Sequence, residues 1–209
     1  PTSSRPRTRR SLVMLGVPCS LFLDYTSLTA QKQVLFGLIR TAQKKDAPVF
    51  ELGQISKIIP RINGTKFTYN NERFFTPLIG KHQALNGALA LETINQYENK
   101  ISLDQLQRGL KKVVWPGRMQ QLEERLYYDV AHNEKGLEFL LKTISNLFPQ
   151  QNIIGLFCLK GDKDLNLLIK IMKGRFKRLF VTTDRDGLLL NATKLSEKLT
   201  LLNLPNTYL

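Results

Sequence analysis

The chain has 209 residues, 42% of them hydrophobic and 23% charged, enough apolar side chain for a packed core and not the composition of a disordered chain. Its formal net charge of +14 points to polyanionic partners, but the basic residues are spread along the chain with no recognised nucleic-acid motif, so no nucleic-acid partner is expected. No apolar run reaches membrane-spanning length, and two isolated cysteines, Cys19 and Cys158, argue against a disulfide framework or a zinc site and fit a reducing cytoplasm.

In chain order, "PTSSRPRTRR" is basic and is followed by the apolar "SLVMLGVPCSLFL", an order that imitates a signal peptide. Gly16 and Pro18 interrupt the apolar part and no small-x-small cleavage site follows, so residues 1–14 are read as an unmatched or disordered start. The first residue is Pro1, which marks the chain as processed or as a piece of a longer one. "LVMLGVPCSLFLD" predicts a strand and turn. "SLTAQKQVLFGLIRTAQKK" places Leu28, Val34, Leu35, Leu38, Ile39 and Ala42 at helical spacing. "APVFEL" predicts a short strand. "GTKFTYNNERFFTPL" predicts two strands joined by Asn70 and Asn71. "KHQALNGALALETINQY" predicts a mostly apolar, largely buried helix. "SLDQLQRGLKKV" predicts another, opened by Ser102 and Gln105 at capping-box spacing.

"VVWPGR" breaks the pattern with Pro116 and Gly117, and a domain boundary is placed at 114/115. Beyond it, "RLYYDV" predicts a strand and "EKGLEFLLKTISNLF" a helix with Leu137, Leu140, Leu141, Ile144, Leu147 and Phe148 on one face. "NIIGLFCL" predicts a buried strand, "LNLLIKIMKGRF" a helix, "RLFVTT" a strand and "ATKLSEKL" a helix. This alternation implies a parallel, doubly wound α/β sheet, with ligands at the carboxyl ends of its strands. Asp129 is expected at one such end, and Asp162 and Lys163 just past another.

Four stretches carry candidate chemistry. In "GKHQALNGALA", His82 and Asn86 are four apart and share a helix face. An amide suits the edge of a purine base, although a buried helix with locally satisfied polar groups has the same spacing. In "WPGRMQ", a tight turn presents Arg118, whose guanidinium grips phosphate through paired bonds; an ordinary surface arginine beside a linker is the other reading. In "YYDVAHN", Asp129 suits ribose hydroxyls or the orientation of His132, while an Asx turn with Asn133 as a helix cap accounts for the same residues. In "LKGDKD", Lys160 and Lys163 suit a carboxylate or phosphate, and Asp162 or Asp164 suits a helix cap. No GxxxxGK[ST], HExxH or GxSxG occurs in the sequence.

Taken in order, "LIGKHQALNGALA", "VVWPGRMQ", "YYDVAHN" and "KGDKD", with "INGTKFTY" ahead of them, resemble the folylpolyglutamate synthase family within the Mur ligase superfamily. The resemblance runs from about residue 15 to 184. It implies the tail of a P-loop-type ATPase domain over residues 15–114, followed by a smaller doubly wound, Rossmann-like C-terminal domain over 115–209. It also implies an ATP-dependent ligase. ATP phosphorylates the γ-carboxylate of a folate and L-glutamate attacks the acyl phosphate, helped by positioning and by charge neutralisation from Mg2+ and cationic groups.

By the same resemblance, Asn86 contacts adenine and His82 shapes its helix. Arg118 reaches the ATP phosphates and Asp129 binds the ribose. His132 helps hold the incoming glutamate, and Lys163 is a candidate for a substrate carboxylate. The implied substrates are tetrahydrofolate or its polyglutamates and L-glutamate. The protein is expected to be a cytoplasmic monomer without a membrane partner. The family's P-loop, its Mg2+ ligands and its closing strand motif match nothing here, so the chain is expected to be truncated at both ends and inactive as a ligase alone. A Mur-type ligase, a dihydrofolate synthase, and a non-catalytic remnant or nucleotide-binding module are the alternatives.

Overall fold

A computed structural model describes residues 36–37, 39–50, 52–97, 100–149 and 152–208. The strand and turn expected over 12–24 and the start of the first predicted helix lie outside these. Residues 39–44 are helical (α1). Asp46, at φ 49°, ends α1 in a left-handed cap, with Ala47 N–H donating to Ala42 O and Asp46 N–H to Gln43 O. Residues 47–50 then carry no strand, against the expectation for "APVFEL". That run leaves the helix cap with no neighbouring strand to pair with among the described residues.

The first sheet is an antiparallel meander of β1 (Ile55–Arg61), β2 (Gly64–Tyr69) and β3 (Glu72–Thr76). Asn70 and Asn71 turn between β2 and β3 at φ 48° and 66°, the left-handed pair that a two-residue hairpin requires. β1 was not expected. Lys57 at φ 49° and a register shift between Ser56 and Ile59 mark a bulge, which together with Pro60 hides the two-residue period.

Helix α2 (Lys81–Tyr97) crosses this sheet and buries Gln83, Ala84, Gly87, Ala88 and Leu91. The other face is open, with Tyr97 85% exposed, so α2 is covered on one side rather than largely buried. Helix α3 (Leu103–Lys111) has the expected capping box: Gln105 N–H donates to Ser102 Oγ, and Ser102 N–H to Gln105 Oε1. Phe67, Tyr69, Phe74, Ala84, Ala88, Leu91 and Leu110 form one core. Tyr69 OH donates to the Glu92 carboxylate and ties β2 to α2; burial, with Glu92 beside it, pushes the Tyr69 phenol up to about 12.

After the Val113–Gly117 connection comes a hairpin of β4 (Gln120–Glu123) and β5 (Leu126–Tyr128). The remainder alternates: α4 (Glu134–Leu147), β6 (Ile154–Phe157), α5 (Leu165–Met172), β7 (Arg178–Val181), α6 (Ala192–Leu201) and β8 (Thr207–Tyr208). β6, β7 and β8 pair in parallel and in sequence order, so no reversal of strand order falls among the described residues. Two corrections follow. β5 pairs with β4, not with the parallel sheet, because the mostly polar strand "QQLE", with Leu122 as its single apolar residue, supplies an antiparallel partner that its composition had concealed. β6 is an edge strand with Ile154 and Leu156 62% and 66% exposed, not a strand buried on both faces.

A second core joins Leu137 and Leu141 of α4, Leu168, Ile169 and Met172 of α5, Leu179 and Val181 of β7, and Ala192, Leu195 and Leu199 of α6. The two cores lie on either side of the Val113–Gly117 connection in sequence.

Candidate functional site

The site is built where the N-terminus of α2 meets the loop after β5 and one face of α4. Thr65 of β2, fully buried, fixes the approach to α2: its Oγ donates to Leu78 O at 2.9 Å and accepts from Gly80 N–H at 3.0 Å. Gly80 has φ 126°, and a Cβ there would lie 2.6 Å from the His82 ring, so the turn and the ring require glycine at 80. His82 follows in the first turn of α2. Its ring packs on Phe139 of α4 with centroids 5.1 Å apart, and its Nε2 accepts from the Gln83 side-chain amide at 2.9 Å. Burial, and the Arg118 guanidinium nearby, hold His82 down to about 4 from its usual 6.5, so the ring is neutral at physiological pH.

Asp129 closes the opposite wall. Its Oδ2 accepts from Met119 N–H at 2.7 Å and its Oδ1 from Ala131 N–H at 2.8 Å. Burial pushes its carboxyl up from the usual range. Those two amides and Arg118 pull the other way, and burial prevails. The turn carrying Arg118 is clipped on both sides: Gly117 N–H donates to Gln120 Oε1 at 3.0 Å, and Val130 N–H donates to Gly117 O at 2.9 Å. Gly117 has φ 71°, and a Cβ would meet Val130 at 2.6 Å.

His82, Arg118 and Asp129 line one cavity of about 70 Å3, together with Ile79, Met119, Ala131, Gly136, Phe139, Leu140 and Thr143. A neutral imidazole, a guanidinium and a carboxylate thus converge from both sides of the chain's central connection. Residues far apart in sequence are brought together: His82 precedes the connection, and the other two follow or end it.

The other expected residues lie outside this cavity. Asn86 is exposed, and its amide donates to Gln83 Oε1 at 3.2 Å, so His82, Gln83 and Asn86 form one chain of polar contacts along α2. His132 is exposed, with Nδ1–H on Val130 O at 2.9 Å. Lys163 pairs with Asp162 at 3.1 Å in the turn after β6. Two capping readings hold in the structure: Asn133 Oδ1 caps α4 through Gly136 N–H, and Asp164 caps α5. Sequence reasoning missed Thr65, Phe139 and Thr143. Thr143 is a buried polar residue on the apolar face of α4, a signal that its spacing from Phe139 made available. Among the described residues no group of three or more His, Cys, Asp or Glu is placed to hold a metal ion, and no helix is long and apolar enough to cross a membrane.

No family model matches the chain. It is 37% identical over 119 residues to a dihydrofolate synthase/folylpolyglutamate synthase of Bacillus subtilis (strain 168), a match covering 51% of this chain and 27% of that protein. A UDP-N-acetylmuramoyl-L-alanyl-D-glutamate–2,6-diaminopimelate ligase of Clostridium perfringens (strain 13 / Type A) is 32% identical over 111 residues, 49% of this chain and 22% of that protein. The fold superposes on the Mycobacterium tuberculosis folylpolyglutamate synthase complexed with ADP with a TM-score of 0.76 at 21% identity, covering 87% of this chain and 43% of that one. The chain therefore spans less than half the length of these relatives. Over about half its length the chain is thus similar in sequence to dihydrofolate/folylpolyglutamate synthases and to a Mur-type ligase, and over most of its length it has the fold of a folylpolyglutamate synthase.

Proposed function

We propose that the chain supplies the second wall of a nucleotide site in an ATP-dependent ligase that adds L-glutamate to the γ-carboxylate of folates through an acyl phosphate. The observation that carries this reading is the convergence of His82, Arg118 and Asp129 on one cavity, three of the residues that the ordered motifs single out. Arg118 provides the cation for phosphate. Asp129 keeps a second lone pair on each oxygen, beyond the two amide bonds, for ribose hydroxyls. Asn86, held through Gln83 beside His82, offers its amide to adenine. His132 and Lys163 are the groups for glutamate and for a substrate carboxylate.

A cavity of about 70 Å3 is smaller than a nucleoside, and on this reading the two walls part about the Val113–Gly117 connection to admit one. On this reading residues 15–114 belong to the ATPase domain and 115–209 to the ligase domain; the two separate hydrophobic cores support the division. The described residues do not fit a resident Mg2+, since no three His, Cys, Asp or Glu among them are grouped to hold one. A net charge of +14 suits a nucleotide and a polyanionic folate, and the isolated cysteines suit the cytoplasm.

The likeness to the Clostridium perfringens ligase favours a second reading, a Mur-type ligase with a UDP-linked peptide precursor. The complete protein, given ATP, separates the two. ADP release that requires both tetrahydrofolate and L-glutamate supports the folate reading. Release that requires a UDP-linked peptide precursor instead replaces it with the Mur reading.

A further inference from the structure

We infer that Gln120 is the positioning residue for Arg118. Arg118 sits in a turn whose two neighbours both have left-handed backbones, Gly117 at φ 71° and Met119 at φ 48°. A non-glycine residue in that region does not hold itself there, so the conformation needs outside anchors. Two side chains supply them on either side of Arg118. The carboxylate of Asp129 takes Met119 N–H at 2.7 Å, and the amide oxygen of Gln120 takes Gly117 N–H at 3.0 Å. The Met119 side chain is 3% exposed and seats the far end of the turn. Gly117 is itself buried, so its N–H finds no ready replacement in bulk water if Gln120 is removed.

Gln120 is the first residue of β4, opposite Tyr128, so the acceptor stands on a paired strand rather than on a free loop. It reaches back three residues and fixes the plane of the Pro116–Gly117 peptide, one unit ahead of the peptide that enters Arg118. Its amide nitrogen is not required for this; only an acceptor oxygen at the same reach is. Glutamate keeps that oxygen and alanine removes it. This assignment rests on the nucleotide reading only for the identity of the ligand that Arg118 meets; the anchoring of the turn stands apart from it.

The test uses the 209-residue chain and its Gln120→Ala and Gln120→Glu variants. Backbone ¹⁵N relaxation at Gly117 and Arg118 is the first readout. In Gln120→Ala the order parameter is expected to fall from the rigid range near 0.85 to below about 0.6, and Gln120→Glu is expected to restore it. Unchanged order parameters in Gln120→Ala overturn the assignment, as does a failure of glutamate to restore them. ADP affinity is the second readout, expected to fall several-fold in Gln120→Ala and to recover in Gln120→Glu. If the unsubstituted chain binds no ADP, the nucleotide reading fails and the relaxation result alone decides the role of Gln120.

Discussion

Asp129 is defined by what it accepts. Both of its oxygens are taken by backbone amides, one in the turn that carries Arg118 and one in the loop that leads to α4. Asp129→Ala leaves both donors without their partner and is expected to cost about 2 kcal/mol, read as a lower urea midpoint; an unchanged midpoint contradicts the clasp. His82 adds a pH dependence of definite sign. The unfolded chain takes up a proton near 6.5, and the folded ring refuses it until about 4. Stability from this group is therefore complete above 6.5 and is lost as pH falls towards 4, by about 3 kcal/mol. Asp129, raised by burial, acts in the opposite sense, favouring the fold at acid pH and losing that contribution as pH rises through its folded pKa. An NMR titration is expected to find His82 near 4 and to find it higher in Arg118→Ala, where the neighbouring positive charge is gone.

At the scale of elements, local chemistry and tertiary pairing divide the work. The capping box of α3 is local: Ser102→Ala removes the acceptor of Gln105 N–H and frees the Gln105 side chain. The expected loss is about 1 kcal/mol, measured as a shifted urea midpoint at constant slope. Such features were legible because their residues are neighbours in sequence. So were the Asn70–Asn71 hairpin and the helices α2 to α6. β1, β4 and β8 were not. A bulge and Pro60 disguise β1, β4 is polar because it pairs rather than packs, and β8 has two residues. β5 was recognised as a strand, but its partner was not, because the choice between an antiparallel neighbour and a parallel sheet is made by contacts outside the strand. The site divides in the same way. His82, Arg118 and Asp129 were legible from the order of the motifs. Phe139 and Thr143 were not, because only the fold brings that face of α4 to the His82 ring at the start of α2.

For the whole molecule, the decisive feature is the seam. Two hydrophobic cores form on either side of the Val113–Gly117 connection, and the His82–Phe139 ring contact joins an element of one to an element of the other. A small cavity sits at that join and collects a cation, a carboxylate and a neutral imidazole. On the proposed reading this seam opens to take a nucleotide. The most direct measurement is an ADP titration into the ¹⁵N-labelled chain, followed through the Gly117, Met119 and Ala131 amides and the His82 ring. The expected result is a saturable shift of these signals together, with those of the exposed Lys163–Asp162 turn unmoved. No shift at the four positions, or shifts confined to that turn, would contradict it.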